Sequence, residues 1–489
     1  MYDAVVIGSG YGGLAAALEL ARADKRVLLC EALNYPGGCA STFSRKGYQF
    51  EAGATLFSGF ASGQLFDKWI ERHDLDVTFE SIDPPILFRT PDHELPISSD
   101  RAKTLASFCE LPDAPVSSLR AFFARQKRVA DTLWPIFDEP SRLPPFSMEA
   151  LWWHLKRSWR YPGLLSLVNR PLISVLRAHS LEQYAPFVQY CNALSQITIQ
   201  TNVMEAEAPF ALSTLDYPYR GTGHIHGGIG RLGQAMLDAI ERCGGEVWMS
   251  SRVKSCRRIP EGWEVETRKG NVKARTIVAN MLPQAVDSLC SEEASLSMKR
   301  LKGAVEEGWG AVMLYLVIED HQGLARHPHH IQTIVDPTQP LMLGNHLFCS
   351  ISGADEEGRA PEGQRTVTVS THIPLRQLRE MEDEAQADWV QSIQERMREG
   401  LRACVPEVGA HIRVEMPASP RTFERFTRRP FGYVGGIPRT RGLHNYRGLF
   451  PTPYTKDLWL VGDSVFPGQS TLATAVGGVR TARAVLSRL

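Results

Sequence analysis

The chain has 489 residues, of which 43% are hydrophobic, 9% aromatic and 22% charged. This is an ordinary globular composition, with length for about three domains of roughly 150 residues each. Lysine and arginine together number 54, and so do aspartate and glutamate, which gives a formal net charge of zero. We therefore expect no nucleic acid as a partner, because binding to phosphate backbones needs a basic surplus.

The cysteines and the hydropathy pattern indicate a compartment but no metal site. The 9 cysteines contain no Cys-x-x-Cys pair, so we expect free thiols in a reducing environment and no bound metal. No signal peptide is visible, and no run of 18 apolar residues could form a transmembrane helix. The expected location is the cytoplasm.

Residues 4–31 predict a βαβ unit that binds a dinucleotide. An apolar strand leads into Gly8-Ser9-Gly10-Tyr11-Gly12-Gly13, and a helix and a second strand ending at Glu31 follow. Gly8 permits the tight turn, Gly10 lets a pyrophosphate approach the backbone, and Gly13 lets the helix pack closely. The helix N-terminus attracts the phosphates, and Glu31 can accept hydrogen bonds from the adenosine ribose.

Residues 148–180 differ from the rest of the chain. Three tryptophans mix with lysine and arginine between 148 and 161, and leucines, isoleucine and valines follow. Tryptophan and arginine on an apolar helix suit the headgroup level of a bilayer. The segment is therefore expected to face a membrane or to cap a pocket inside the protein, and the two roles are compatible.

A second glycine motif, Gly228-Ile229-Gly230-Arg231-Leu232-Gly233, imitates the first one. No apolar strand precedes it, and no acidic residue ends a following strand at the required distance. We interpret it as a loop before a helix over 232–243, so the sequence predicts one dinucleotide site. Bound nicotinamide is not supported.

The last third of the chain predicts a second sheet and a return to the dinucleotide site. Strands are expected at 310–318, 347–351 and 366–371, with an amphipathic surface helix at 384–402. An apolar strand at 458–461 then opens onto Gly462-Asp463, and a Pro467-Gly468-Gln469 turn precedes a helix of small residues over 471–486.

Three motifs carry a resemblance to a known family. They are Pro-Gly-Gly-Cys-Ala-Ser-Thr-Phe at 36–43, Gly-Tyr-Gln-Phe-Glu-Ala-Gly-Ala-Thr at 47–55 and Gly-Asp-Ser-Val-Phe-Pro-Gly-Gln at 462–469. They resemble the FAD-dependent amine oxidase and phytoene desaturase superfamily, which has the glutathione-reductase fold. Within it they are most similar to carotenoid isomerases and desaturases. The match is weaker over 225–285 and poor over 60–210, where substrate identity would lie.

The resemblance implies FAD as the cofactor and a set of residues that bind it. Asp463 would bond the ribityl chain, the helix after Gly468 would point its N-terminus at the flavin ring, and Val253 would offer its backbone to adenine. No catalytic residue is identified, because the flavin carries the chemistry, and no metal ligand is expected. The full predicted cofactor site is Gly8, Ser9, Gly10, Gly12, Gly13, Glu31, Ala32, Gly37, Gly38, Ser41, Thr42, Gly53, Ala54, Thr55, Val253, Asn280, Gly462, Asp463, Gln469, Thr471 and Leu472.

The expected fold is α/β, with a Rossmann-like FAD-binding domain interleaved with an α+β substrate domain that contains a mixed sheet. The FAD domain is predicted at 1–75, 215–285 and 441–489, and the substrate domain at 76–214 and 286–440. One departure stands out, since many amine oxidases have an arginine after the Gly-Gly pair and this chain has Cys39. The departure favours the carotenoid branch of the superfamily.

The resemblance implies desaturation or cis–trans isomerisation of a long apolar polyene such as a carotenoid. Two alternatives stay open at this point. One is an FAD-dependent oxidase, dehydrogenase or reductase of another hydrophobic small molecule, and the other is a non-enzymatic lipid-binding escort protein on the same fold. Peripheral membrane association, and oxygen or a quinone as electron acceptor, are further expectations.

Overall fold

The computed structural model describes residues 1–53 and 55–489. Ala54 lies outside the described residues, so its predicted place in the cofactor site is not addressed below. The strands are β1 Tyr2–Ile7, β2 Val27–Cys30, β3 Thr42–Arg45, β4 Tyr48–Glu51, β5 Phe79–Ser81, β6 Ile86–Arg89, β7 Glu94–Ile97, β8 Gly223–Ile225, β9 Glu246–Trp248, β10 Val253–Ile259, β11 Gly262–Thr267, β12 Gly270–Asn280, β13 Trp309–Glu319, β14 His329–Ile334, β15 His346–Ile351, β16 Gln364–Pro374, β17 Ile412–Ala418 and β18 Leu458–Val461.

The helices occur in every part of the chain. They are α1 Tyr11–Arg22, α2 Leu65–His73, α3 Arg101–Cys109, α4 Val116–Phe137, α5 Met148–Arg157, α6 Tyr161–Leu165, α7 Leu172–Ala178, α8 Ala185–Ile199, α9 Ala208–Thr214, α10 Ile229–Arg242, α11 Pro283–Asp287, α12 Leu296–Glu306, α13 Leu375–Arg379, α14 Asp383–Cys404, α15 Pro406–Gly409, α16 Pro420–Thr427 and α17 Thr471–Leu486. Among the described residues, none of these helices is long and apolar enough to cross a bilayer.

The first sheet has the parallel core expected of a dinucleotide-binding fold. The parallel strands lie in the order β9-β2-β1-β12-β18, and the hairpin β10-β11 continues antiparallel from the first half of β12. The four residues 4–7 of β1 are buried, because helices cover both faces of a parallel sheet. The carboxyl ends of β1, β12 and β18 meet at one edge, where such folds bind ligands.

The second sheet is mixed and comes from other parts of the chain. Its order is β17-β13-β16-β15-β14-β6-β7, with β14 and β6 parallel and the other neighbours antiparallel. The α/β class with two mixed sheets is thus confirmed. The domain bounds stay a prediction, since β5 and β8 pair across the expected boundary.

The helices bury their apolar faces in separate hydrophobic cores. The core of the first sheet joins α1, α10 and α17, and a largely helical core joins α4, α7, α8 and α9. α14, the predicted amphipathic helix, buries Ile393, Met397 and Leu401 against the second sheet and exposes its charged face. Only one side of this helix is therefore solvated.

Candidate functional site

The turn between β1 and α1 leaves backbone donors for a ligand. Gly8 has a φ of 94°, which favours glycine, and a Cβ on Gly13 would collide with the Gly8 carbonyl. Gly10 is the N-cap of α1, and because glycine has no side chain, it leaves the N–H groups of the first turn uncapped. The first-turn N–H groups and the positive end of the helix dipole therefore fit an anionic phosphate.

The second glycine motif has a different environment. Thr42 Oγ1 accepts from Gly230 N at 2.9 Å, and Glu51 Oε1 accepts from Ile229 N at 3.3 Å. Glu51 is buried and pairs with Arg359 at 2.5 Å. Protein oxygens thus occupy the first turn of α10, where a phosphate would otherwise bind, so this motif offers no free phosphate cradle. α10 starts at Ile229, three residues before the predicted start.

Glu31 lies at the end of β2, beside the first glycine turn. Its Oε2 accepts from Ser9 N at 2.7 Å and from Ser9 Oγ at 2.6 Å, and its Oε1 accepts from Leu33 N at 2.8 Å. A carboxylate has about four acceptor positions, so acceptor capacity is left for ribose hydroxyls. The carboxylate also fixes the turn, which the sequence alone does not indicate.

A second glycine loop packs on the first. Gly37 N donates to Ser9 O at 2.9 Å, and Gly37 and Gly38 have φ values of 107° and 62°. The Ser41 hydroxyl donates to Gly38 O at 2.8 Å and so holds the loop from within, outside the cavity lining. The loop thereby extends the backbone cradle of α1 toward Cys39.

The C-terminal segment completes the cradle. A Cβ on Gly12 would lie 2.9 Å from Gly462 N, so β18 ends directly against the first turn of α1. Asp463 follows, and both of its carboxylate oxygens accept from Arg429 Nη2, at 3.0 and 2.9 Å. α17 begins at Thr471, and its N-cap Ser470 accepts from Ala473 N at 3.0 Å.

These segments border one cavity of about 530 Å³. Glycine backbone forms one end, and the remaining wall is mainly apolar and aromatic, as in a site for a flat or hydrophobic molecule. The aromatic residues of this wall include Trp134, Phe137, Phe210, Phe348, Phe423 and Phe466. A neighbouring cavity of about 590 Å³ is lined with amides such as Gln189, Asn192 and Gln196 and contains no glycine loop. We therefore take the first cavity as the candidate site.

Burial fixes the protonation states of His372 and Cys39, which both line the cavity. Burial lowers the pKa of His372 to about 4, so its imidazole is neutral at physiological pH. Burial raises the pKa of the Cys39 thiol, against an opposing effect of the Arg429 charge, so the thiol is protonated. No cluster of metal-ligating side chains occurs in the part of the chain that the structure describes.

The predicted cofactor residues divide into two groups in the structure. Those that line the cavity are Gly10, Gly12, Gly37, Gly38, Gly53, Thr55, Asn280, Gly462, Asp463, Gln469, Thr471 and Leu472. Those that lie outside the lining are Gly8, Ser9, Gly13, Glu31, Ala32, Ser41, Thr42 and Val253. Among the second group, Gly8 and Gly13 shape the turn, Ser9 holds Glu31, and Thr42 caps α10.

Sequence reasoning missed several wall residues. Arg429 and Arg439 line the cavity, and so do aromatic residues of α9 and α16. The tandem Arg428-Arg429 before a proline is the one sequence signal near the first of these. Two adjacent arginines are ordinarily solvated on the surface. Asp463, the partner of Arg429, lies in another motif, so the sequence does not connect the two.

The comparisons with known proteins agree with this geometry. Residues 6–71 match the model of the NAD(P)-binding Rossmann-like domain. The chain is 25% identical to prolycopene isomerase 1, chloroplastic, of an Oncidium hybrid cultivar, across 100% of this chain and 84% of that protein. It is 23% identical to phytoene desaturase (neurosporene-forming) of Cereibacter sphaeroides, across 99% of this chain and 94% of that protein.

A solved structure gives the same fold. Cyclohexylamine oxidase from Brevibacterium oxydans IH-35A has a TM-score of 0.62, with 14% identity over 100% of this chain and 99% of that chain. The two curated relatives are an isomerase and a desaturase, so the comparisons give the non-enzymatic alternative no support. The chain is an enzyme with a site for a flavin-type dinucleotide, and along its whole length it is similar to the prolycopene isomerases and phytoene desaturases.

Proposed function

We propose that the protein is an FAD-dependent oxidoreductase or isomerase that acts on a long apolar polyene of the carotenoid class. The observation that carries the proposal is a continuous cavity that has glycine backbone at one end and an aromatic wall around the rest. The cradle suits the pyrophosphate, and the aromatic wall suits a molecule without hydrogen-bonding groups. The full-length similarity to the isomerase and the desaturase named above supports the same substrate class.

FAD is proposed over a nicotinamide dinucleotide because three separate segments converge on the cavity. Besides the fingerprint, the Gly37-Gly38 loop, Gly462-Asp463 and the start of α17 all line it. In this arrangement Asp463 would bond the ribityl hydroxyls, and Val253 would contact adenine through its backbone. The N-terminus of α17 would stabilise negative charge on the flavin ring.

When bound, FAD would supply two-electron chemistry, either by taking up a hydride from the polyene or, when reduced, by lending electrons for cis–trans isomerisation. The chain itself would exclude water and orient the polyene against its aromatic wall. Asp463 is already paired with Arg429, so it is not a free base. His372 lines the cavity and would hold the proton that desaturation releases only transiently, because burial lowers its pKa to about 4, whereas isomerisation requires no net proton transfer.

The purified protein tests the cofactor, and cells that make defined carotene precursors test the reaction. We expect a flavin absorption spectrum, and pigments that change in bond number or in geometry when the chain is expressed. Chromatography under oxidising and reducing conditions separates the two reactions. A colourless protein that does not take up FAD would contradict the cofactor, and unchanged pigments for every precursor would contradict the polyene.

A second candidate is an FAD-dependent oxidase, dehydrogenase or reductase of a smaller hydrophobic molecule. The cavity volume of about 530 Å³ favours it, because the flavin ring must share that space. A long polyene would have to extend from the cavity mouth, while a shorter molecule would be enclosed. Turnover of a short apolar substrate without any change in carotene pigments would favour this candidate.

We further propose that the protein binds membranes at the surface formed by α5 and the residues up to Leu165. This aromatic surface exposes large apolar side chains, among them Met148, Trp152, Leu155, Trp159 and Leu165. Lys156, Arg157 and Arg160 lie among them. Contiguous exposed apolar side chains with flanking cations suit the interface of an anionic bilayer.

The chain just before the aromatic surface adjoins the cavity, which would give an apolar substrate a dry route. Phe146 and Phe450 pack with their ring centroids 6.1 Å apart, and their near neighbours Leu143 and Leu449 line the cavity. Trp153 is held between Arg142 and Arg157, at 4.4 and 4.2 Å, so it stabilises the segment itself. The electron acceptor, oxygen or a quinone, would be reached from this same side of the molecule or through solvent.

A further inference from the structure

We propose that Arg429 is the cation that binds the pyrophosphate of the dinucleotide. The inference rests on the proposed FAD site and assigns it a residue that none of the glycine motifs contains. Arg429 follows α16 and precedes Pro430, in a part of the chain remote from the fingerprint.

The charges expected in the cradle favour such a group. A pyrophosphate brings two negative charges into a cavity whose neighbouring Asp463 adds a third. The N–H groups of α1 contribute only partial positive charge, of about half an elementary charge. Cys39, at the end of the second glycine loop, is a protonated thiol because burial raises its pKa. A full cation close to the bound anion would therefore stabilise it beyond what the helix N-terminus provides.

The position of Arg429 suits this role. Its guanidinium pairs with Asp463, which directly follows the residue packed against Gly12. It also lies near Cys39, which directly follows the Gly38 loop packed on Gly10. The cation is thus held between the ends of the two loops that flank the first turn of α1.

The hydrogen bonds of Arg429 leave it donors for a ligand. Nε donates to Tyr433 O, and Nη2 donates to Asp463. Nη1 makes no hydrogen bond within the described part of the chain, and the residue lines the cavity. An arginine with two anchored nitrogens and one available nitrogen is oriented before the phosphate arrives, which reduces the entropy lost on binding.

The other guanidinium in the described cavity lining is engaged elsewhere. Arg439 Nη2 donates to Pro467 O at 2.7 Å, and the guanidinium lies over the Phe210 ring at 5.1 Å. A Cβ on Gly468 would collide with it, so it lies beside the turn before α17. Arg439 is therefore placed against an aromatic ring of the cavity and the turn before α17.

Titration of the purified full-length chain with FAD, followed by flavin fluorescence, tests the assignment. Arg429→Gln should weaken FAD binding about ten- to a hundredfold, as expected for loss of a charge-assisted hydrogen bond. Arg429→Lys should show a smaller loss, because it keeps the charge without the planar fork. Arg425→Gln, which removes an exposed arginine from α16, should bind FAD like the wild type.

A double-mutant cycle with Asp463→Asn separates direct binding from a positioning role. Direct binding predicts that Arg429→Gln weakens FAD binding by a similar factor in the Asp463→Asn background. If that factor vanishes there, Arg429 acts only by holding Asp463 and the proposal is wrong. Unchanged affinity with an altered flavin reduction potential would place the cation at the ring and would also overturn it.

The FAD titrations distinguish a failure of the proposed function from a failure of the role assigned to Arg429. A wild-type chain that binds no FAD overturns both. A wild-type chain that binds FAD, together with an Arg429→Gln variant that binds it equally well, overturns only the role of Arg429. Circular dichroism of each variant shows whether the chain is folded, and Arg429→Lys carries the test if Arg429→Gln does not fold.

Discussion

Several buried histidines contribute to stability because they are neutral. His346 in β15 is 1% exposed, and Gln332 Nε2 donates to its Nε2 at 3.0 Å. The same amide nitrogen donates to Ala193 O at 2.9 Å, which ties α8 to the second sheet. His346 Nε2 must be an unprotonated acceptor in this arrangement. A second proton would therefore break the contact.

The neutral state of His346 predicts a specific acid sensitivity. Burial, with a further effect of the His372 charge, lowers the pKa of His346 to about 3, whereas an unfolded histidine titrates near 6.5. The unfolded chain binds the proton first, so this stabilisation is complete above about pH 6.5 and is lost as the pH falls toward 3. The loss amounts to about 1.4 kcal/mol per pH unit.

We expect His346→Gln, which keeps an acceptor but does not titrate, to flatten this dependence. Between pH 6.5 and 5 the free energy of unfolding of the wild type should fall by about 2 kcal/mol more than that of the variant. Urea denaturation at several pH values measures the difference. His327→Gln, at an exposed histidine, is the control and should follow the wild type. Parallel profiles for His346→Gln and the wild type would contradict the assigned state.

At the scale of elements, the cradle depends on how closely α17 packs on α1. A Cβ on Gly478 would collide with the Gly12 carbonyl and would lie 2.8 Å from Ala15 Cβ. A Cβ on the adjacent Gly477 would meet Phe466 O at 3.4 Å, which is an ordinary contact. The chain thus provides two neighbouring glycines with opposite tolerance for one methyl group.

Gly478→Ala should separate α17 from α1 and displace the first turn that binds the phosphates. We expect it to destabilise the protein by about 1–3 kcal/mol through overpacking and to lower the FAD content after purification. Gly477→Ala should be neutral or stabilising, since alanine favours a helix by up to about 1 kcal/mol over glycine. Thermal melting and the flavin-to-protein absorbance ratio measure both effects. Equal melting temperatures and equal FAD content for the two variants would refute this account.

The same elements show what the sequence could and could not predict. β1, α1 and β18 are local patterns, so the turn at Gly8–Gly13 and the strand before Asp463 could be placed in advance. The Asp463–Arg429 pair could not, because it depends on how the segment after α16 meets the segment after β18 in three dimensions. The role of Thr42 was also unpredictable, since its partner Gly230 lies on a helix that is distant in sequence.

At the scale of the whole molecule, the formal net charge is zero, but the exposed apolar and cationic side chains are unevenly distributed. The aromatic surface collects exposed tryptophans, leucines and cations within one stretch of the chain. The sequence indicated this segment by composition but left open whether it caps a pocket or faces a membrane. In the structure, α7 is largely buried while most of α5 is not. The two parts of 148–180 therefore have different environments.

Exposure of Leu155 allows a matched test of membrane binding. Leu155 is 61% exposed on the aromatic surface, and Leu296 is 65% exposed on α12. If the aromatic surface enters the bilayer interface, Leu155→Ser loses apolar burial there, and we expect about a tenfold loss of affinity for vesicles that contain anionic lipid. Leu296→Ser removes the same side chain elsewhere and should bind like the wild type. Flotation of the full-length protein with such vesicles measures both, and high salt should weaken binding because the flanking cations are screened. Equal flotation of the two variants, or no flotation of the wild type, would contradict membrane binding at this surface and leave the cavity mouth open to solvent alone.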